Sequence, residues 1–151
     1  MKILLAVDES EDSQRAAQML IAQATPGETE VLILHVVKIL QNQLPEMMLN
    51  YEGFELEREA QRHAAEALLE NTARALRAKG LRVSTALEWG DPKSEIAATA
   101  SHWGADLIVL GSHRRHGLDR ILSGHVSEAV LRKASCSVEV VRWNQNGSEG
   151  R

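Results

Sequence analysis

Short apolar runs alternate along this chain with longer stretches of helical period, and no other feature of the sequence narrows the fold as much. Five runs stand out, at residues 3–7, 31–37, 81–87, 107–110 and 137–142. Strand and helix alternating in this way build a parallel sheet, because parallel neighbours need a crossover long enough to hold a helix. The runs at 3–7, 31–37 and 107–110 are almost continuously apolar, as strands covered on both faces must be, and belong at the middle of the sheet. Those at 81–87 and 137–142 interleave Ser84, Thr85, Ser137 and Glu139 with apolar residues, which suits edge strands.

The intervening helices carry their own signals. Ala16, Ala17, Leu20, Ile21 and Ala24 recur on one helical face, and Pro26-Gly27 stops that helix. A longer helix is expected from about residue 54 to 78, with Leu56, Ala60, Ala64, Leu68 and Leu76 as its apolar stripe and Gly80 as its C-terminal cap. Asp91-Pro92 reads as N-cap and first-turn proline of a third helix through Ile96, Ala100 and Trp103, ended by Gly104. The fourth carries Val126, Ala129, Val130 and Ala134. With right-handed crossovers, the expected α/β fold is an open, doubly wound, five-stranded parallel sheet of order 3-2-1-4-5, with two helices on each face. Strands one and four are then neighbours whose connections leave in opposite directions. Ligands of such sheets bind there, outside the carboxyl ends of the strands.

A chain of 151 residues suffices for one domain and is short for two, so residues 1–143 are read as that domain and 144–151 as a polar tail. A net charge of -4 argues against general affinity for nucleic acid or an anionic membrane, since counterion release needs a concentrated basic surface. Any anion site has to be local. Cys136 is the sole cysteine, which excludes an intramolecular disulfide, and the apolar run at the N-terminus is far shorter than a signal sequence or membrane span. A cytoplasmic protein is the expectation.

Two clusters of residues fall just past the ends of strands one and four. Asp8 follows the first strand, either as N-cap of the next helix, with Ser10 as rival, or with its carboxylate directed into the crevice toward a ligand's base or ribose. After the fourth strand comes Gly111-Ser112-His113-Arg114-Arg115-His116-Gly117, and later Gly124-His125-Val126-Ser127-Glu128. Glycines let backbone N–H groups approach an anion, and the first amides and dipole of the helix after Gly124 favour phosphate. His113, Arg114, Arg115 and His116 either neutralise that charge or form a solvated loop surface.

Ala6-Val7-Asp8, Leu34-His35-Val36, Gly111-Ser112-His113 and Gly124-His125-Val126-Ser127-Glu128 together resemble the universal stress protein family, over residues 1 to about 142. The ATP-binding subgroup of that family is marked by Gly-x2-Gly-x9-Gly followed by Ser or Thr. Gly111 and Gly124 hold the first and third glycine positions, Arg114 stands at the second, and His125 replaces the hydroxyl residue. The resemblance implies a stress-response protein that binds ATP, with Mg²⁺, or a related nucleotide between strands one and four. It carries over ligand contacts to Ala6, Asp8, Val36, Leu110, Gly111, Arg114, Gly124, His125, Val126 and Ser127. Phosphates would lie on the amides of Gly124, His125 and Val126, with Asp8 and the main chain of Val36 at the base and ribose. Arg114 changes a loop that glycine would leave free, whereas at His125 a helix-start N–H survives and only a hydroxyl is lost. A homodimer through the last strand, 137–142, is also implied, with Glu139 at a position that is usually apolar.

Covalent chemistry has less support. There is no Gly-x-Ser-x-Gly elbow, no Walker lysine motif and no nucleophile beside an evident base, so at most slow hydrolysis of a bound nucleotide is expected. Cys136 and His35 read as packed residues at or near strands. His113, His116 and His125 have spacing that invites zinc, but no cysteine or fixed carboxylate completes the set, and no metal site is assigned. Residues 38–53, with Leu44, Met47, Met48, Leu49 and Tyr51, form either a lid or partner surface or a satellite core under the second helix. The alternative function is a nucleotide-free dimeric interaction protein of the same fold, its altered glycine loop serving protein partners. Arg114 is the residue that separates the two.

Overall fold

Residues with unbroken apolar character become the inner strands because a helix lies over each of their faces. The structure, a computed structural model, describes residues 1–39, 51–112 and 126–142. In chain order the elements are β1 Lys2–Ala6, α1 Glu11–Gln23, β2 Glu30–Lys38, α2 Tyr51–Ala78, β3 Arg82–Gly90, α3 Pro92–Trp103, β4 Leu107–Gly111, α4 Val126–Lys133 and β5 Ser137–Val141. All pairings are parallel and the sheet order is β3-β2-β1-β4-β5, as the strand patterns predict. The interleaved runs are indeed the two edges.

Successive side chains of a strand point to opposite faces, so each inner strand feeds two cores. Ile3, Leu5 and Val7 join Val31, Ile33 and Val109 beneath α1 and α2, with Ala16, Leu20, Leu69, Ala73 and Leu76 closing that layer. Leu4 and Ala6 join Leu32, Leu34, Ile108 and Leu110 beneath α3 and α4, with Ile96, Ala100 and Val130 above them. Leu4, Leu5, Ile33 and Leu34 are completely enclosed. Each such side chain contributes about 1.5–3 kcal/mol by leaving water.

The punctuation of the helices follows local chemistry. Asp91 caps α3, its side chain accepting from Lys93 N–H, with Pro92 in the first turn. At the end of α2 the Gly80 N–H bonds Arg77 O and the Leu81 N–H bonds Leu76 O, a pair of bonds that needs the left-handed backbone of Gly80, φ 88°. Buried Leu81 then packs in the same core as Leu76.

One expectation is corrected along α2. The buried residues are Ala65, Leu69, Ala73 and Leu76, whereas Leu56, Ala60 and Ala64 face solvent and Leu56 is 74% exposed. A strict repeat of four drifts by roughly 40° per step around a helix of 3.6 residues per turn. The real stripe returns through a spacing of three between Ala73 and Leu76, and the turns before Ala65 bury none of their residues.

Candidate functional site

The first bank of the crevice is the end of β1. Val7 N–H donates to Leu34 O at 2.8 Å, while Val7 O accepts from His35 Nδ1 at 2.7 Å. The chain then turns into α1 through a reciprocal set of bonds. Ser10, not Asp8, is the N-cap, its Oγ accepting from Ser13 N–H at 3.2 Å. Asp8 Oδ1 accepts from both the N–H and the Oγ–H of Ser10, and the Asp8 N–H donates to Ser13 Oγ at 2.9 Å. The Asp8 carboxylate thus shapes the turn before the helix rather than capping it. Ser13, the third residue of α1, is buried at 3% exposure to reach back to Asp8.

The second bank is the end of β4. A Cβ on Gly111 would lie 2.5 Å from Asp12 C, 2.6 Å from Ser13 N and 2.8 Å from Asp12 O, so the first turn of α1 sits directly on this glycine. Glycine at 111 therefore has a packing reason within the chain itself, besides any approach of a ligand. Ser112 extends the contact. Its N–H donates to Val141 O at 2.8 Å, and its Oγ–H donates to Asp12 Oδ2 at 2.5 Å.

Between the first bank, the end of β2 and α2 lies an open cavity of about 820 Å³, lined by Asp8, Glu9, Ser10, His35, Val36, Val37, Lys38, Gln61, Ala64 and Ala65. Volumes of this order accommodate small-molecule ligands. The structure brings several of the residues picked from sequence together. Ala6 and Leu110 are register partners on neighbouring strands and are both buried, and half-buried Val36 and Val126 pack against the same cluster. Asp8 and Val36 share the cavity wall. Gly111 follows Leu110 directly, and Ser127 is half-buried in the first turn of α4. Arg114, Gly124 and His125 lie outside the described residues, as do His113, Arg115, His116 and most of the segment 38–53.

Sequence reasoning missed the roles of His35, Ser13 and Ser112. The serine at the third position after an N-cap serine is a signal that could have revealed the reach of Ser13. His35 interrupts an otherwise apolar strand, and its partner is 28 residues away. A second cavity, of about 370 Å³, opens beside α1 among Met19, Leu20, Leu107 and Glu139 and is lined by none of the ligand-contact residues expected from the sequence. Cys136 packs against the α3/α4 core, and burial, then the Asp106 carboxylate, push its thiol up from the ordinary range. A raised thiol is a poor nucleophile at neutral pH. Among the described residues, no helix is long and apolar enough to cross a membrane.

Comparison with known proteins agrees over the whole of this architecture. The model of the universal stress protein family matches residues 1–142. A universal stress protein of Methanocaldococcus jannaschii is 34% identical over 142 residues, covering 93% of this chain and 81% of that one. The solved structure of the hypothetical protein MJ0577, described as a structure-based assignment of biochemical function, superposes with a TM-score of 0.77 at 31% identity, covering 95% of this chain and 96% of that one. Two more distant structures share the fold at 19% identity. One is a universal stress protein in complex with cAMP, with a TM-score of 0.66 and coverage of 93% and 95%. The other is a universal stress protein family protein of Arabidopsis thaliana with AMP bound, with a TM-score of 0.64 and coverage of 97% and 94%.

Proposed function

The chain belongs to the universal stress protein family, and from that premise we propose that it is a nucleotide-responsive regulatory protein of the stress response. Its ligand is an adenine nucleotide, ATP with Mg²⁺ or a relative of it, held at the carboxyl ends of β1, β2 and β4. The observation that carries this reading is the cavity of about 820 Å³ at the carboxyl ends of β1 and β2, beside the switch point of the sheet and lined by Asp8 and Val36. The cAMP and AMP bound by two proteins of the same fold support an adenosine phosphate as the chemical class.

In this proposal Asp8 and Val36 take the base and ribose, and Ala6, Leu110 and Val126 supply the apolar floor. Gly111, Gly124, His125, Val126 and Ser127 hold the phosphate end, with Arg114 adding positive charge beside it. The ligand is bound rather than turned over, apart from slow hydrolysis at most. The protein acts in the cytoplasm as a homodimer joined along β5, whose outer edge has no strand beside it among the described residues.

Mass spectrometry of small molecules released from the denatured native protein, followed by calorimetric titration with ATP and Mg²⁺, AMP and cAMP, tests the ligand. Adenine nucleotide released or bound is the expected result. Absence of heat and of any thermal shift at millimolar ligand would favour the nucleotide-free interaction protein. Arg114→Gly sharpens the choice, since it weakens binding if the arginine supplies charge to the phosphates, as proposed, and strengthens binding if the arginine obstructs the loop. For the dimer, sedimentation should give a species near twice the chain mass, and Val140→Pro, which removes a ladder donor, should dissociate it.

A further inference from the structure

We infer that His35 is a positioning residue of this site: its ring ends the β1–β2 ladder one rung early and so leaves the main-chain edge of Val36 facing the crevice. The inference rests on the nucleotide-binding reading only for its consequence, not for its geometry.

In a parallel pair, a residue that bonds its neighbour uses both its N–H and its C=O, and the partner groups come from the residues before and after its register mate. Ala6 is in register with Leu34, so Val7 stands opposite His35. Val7 N–H to Leu34 O is accordingly a regular rung, and the rung due next is Val36 N–H to Val7 O. Val7 O instead accepts from His35 Nδ1, and the regular strand ends at Ala6. A carbonyl can only accept, so the proton is on Nδ1 and the ring tautomer is fixed by this bond.

The consequence falls on Val36. Alternation along β2 sends the N–H and C=O of Leu34 toward β1, and those of Val36 the same way. Past Val7 the chain has left for α1 through the Asp8–Ser10 turn, so no β1 residue meets them. A donor and an acceptor are therefore presented side by side on the cavity wall, next to Asp8. That pair matches a nucleobase edge carrying an acceptor beside an amino group. Without the imidazole, Val36 N–H could close on Val7 O, and the donor would be consumed within the sheet.

The test uses three variants of the full chain and two readouts. His35→Leu removes the ring donor at similar bulk. His35→Asn sets an amide N–H near the place of Nδ1, and His35→Gln carries its amide one methylene farther out. The first readout is amide hydrogen exchange at Val36 without nucleotide. The native amide should exchange at least about tenfold faster than that of Leu34, His35→Leu should slow it to the Leu34 level, and His35→Asn should restore it. The second is AMP affinity by titration, expected to fall at least about tenfold in His35→Leu and His35→Gln and to recover in His35→Asn. Equal protection of Val36 and Leu34 in the native protein would overturn the inference. So would an unchanged Val36 exchange rate in His35→Leu. Should the leucine variant fail to fold, the asparagine and glutamine pair decides alone, since a positioning role requires them to differ. If the native protein binds no adenine nucleotide, the functional proposal falls, while the exchange comparison still decides what His35 does.

Discussion

The two strands that border the crevice end in opposite ways. At β4 the pairing carries on past the strand through Ser112 N–H to Val141 O, and the chain is pressed against α1 at Gly111. At β1 a side chain stops the pairing, and the backbone lifts off into the Asp8–Ser10 turn. One bank is closed and anchored, and the other is opened. The first turn of α1 is tied to both, by Ser13 to Asp8 and by Asp12 to Ser112, so the width of the crevice is set by a single helix end. A ligand site at a switch point needs both properties. Rigid spacing limits the ordering that binding requires, and exposed main-chain groups give the ligand something to bond.

The anchored bank should be the more sensitive to substitution, and Gly111→Ala is the sharpest way to break the comparison. The added methyl meets backbone atoms of Asp12 and Ser13 at 2.5–2.8 Å, and backbone cannot turn aside as a side chain can. Relief requires α1 to move off β4, at a cost of about 3 kcal/mol, the upper end of overpacking effects. Denaturant titration measures it. A loss below about 1 kcal/mol would mean that the end of α1 is not fixed by β4, and the contrast between the banks would collapse.

Next in size is Ser13→Ala, on the open bank. Ser13 is 3% exposed, and loss of its hydroxyl strands the Asp8 N–H that it now satisfies. An unsatisfied, partly buried donor costs about 1–3 kcal/mol. The same change should loosen the Asp8 turn and weaken AMP binding. Stability lost with affinity kept would separate the turn from the ligand site.

Much of this was legible in the sequence, for local reasons. Apolar continuity placed the inner strands, Asp91-Pro92 marked the start of α3, and Gly80 and Gly104 supply the left-handed backbone where α2 and α3 end. The α2 stripe was less legible because alanines occupy several rows of that helix, and only contact with the sheet selects the row through Ala65, Leu69 and Ala73. Asp8 and Ser10 are equally good caps by residue type, and the extended backbone at Ser10, φ -74° and ψ 155°, decides between them. The contacts of His35 with Val7 and of Gly111 with Asp12 are invisible to any local pattern. Each joins residues far apart in the chain that meet only once the sheet order is fixed.

The smallest expected effect is that of Ser112→Ala, and it tests whether the closed bank depends on its side chains or on its backbone. Ser112 Oγ–H donates to Asp12 Oδ2, and removal of the hydroxyl deletes that bond without creating a cavity of consequence. Asp12 does not become an orphan: it has another partner, and it lies in the first turn of α1, where the helix dipole favours a negative charge. Ser112 N–H to Val141 O is untouched by the substitution. The loss should be about 0.5–1.5 kcal/mol, well under that of Gly111→Ala, and AMP affinity should change little. If Ser112→Ala instead destabilises as much as Gly111→Ala, the anchor is the Ser112–Asp12 hydrogen bond and not the close approach of two backbones, and the double variant would then lose scarcely more than either single one.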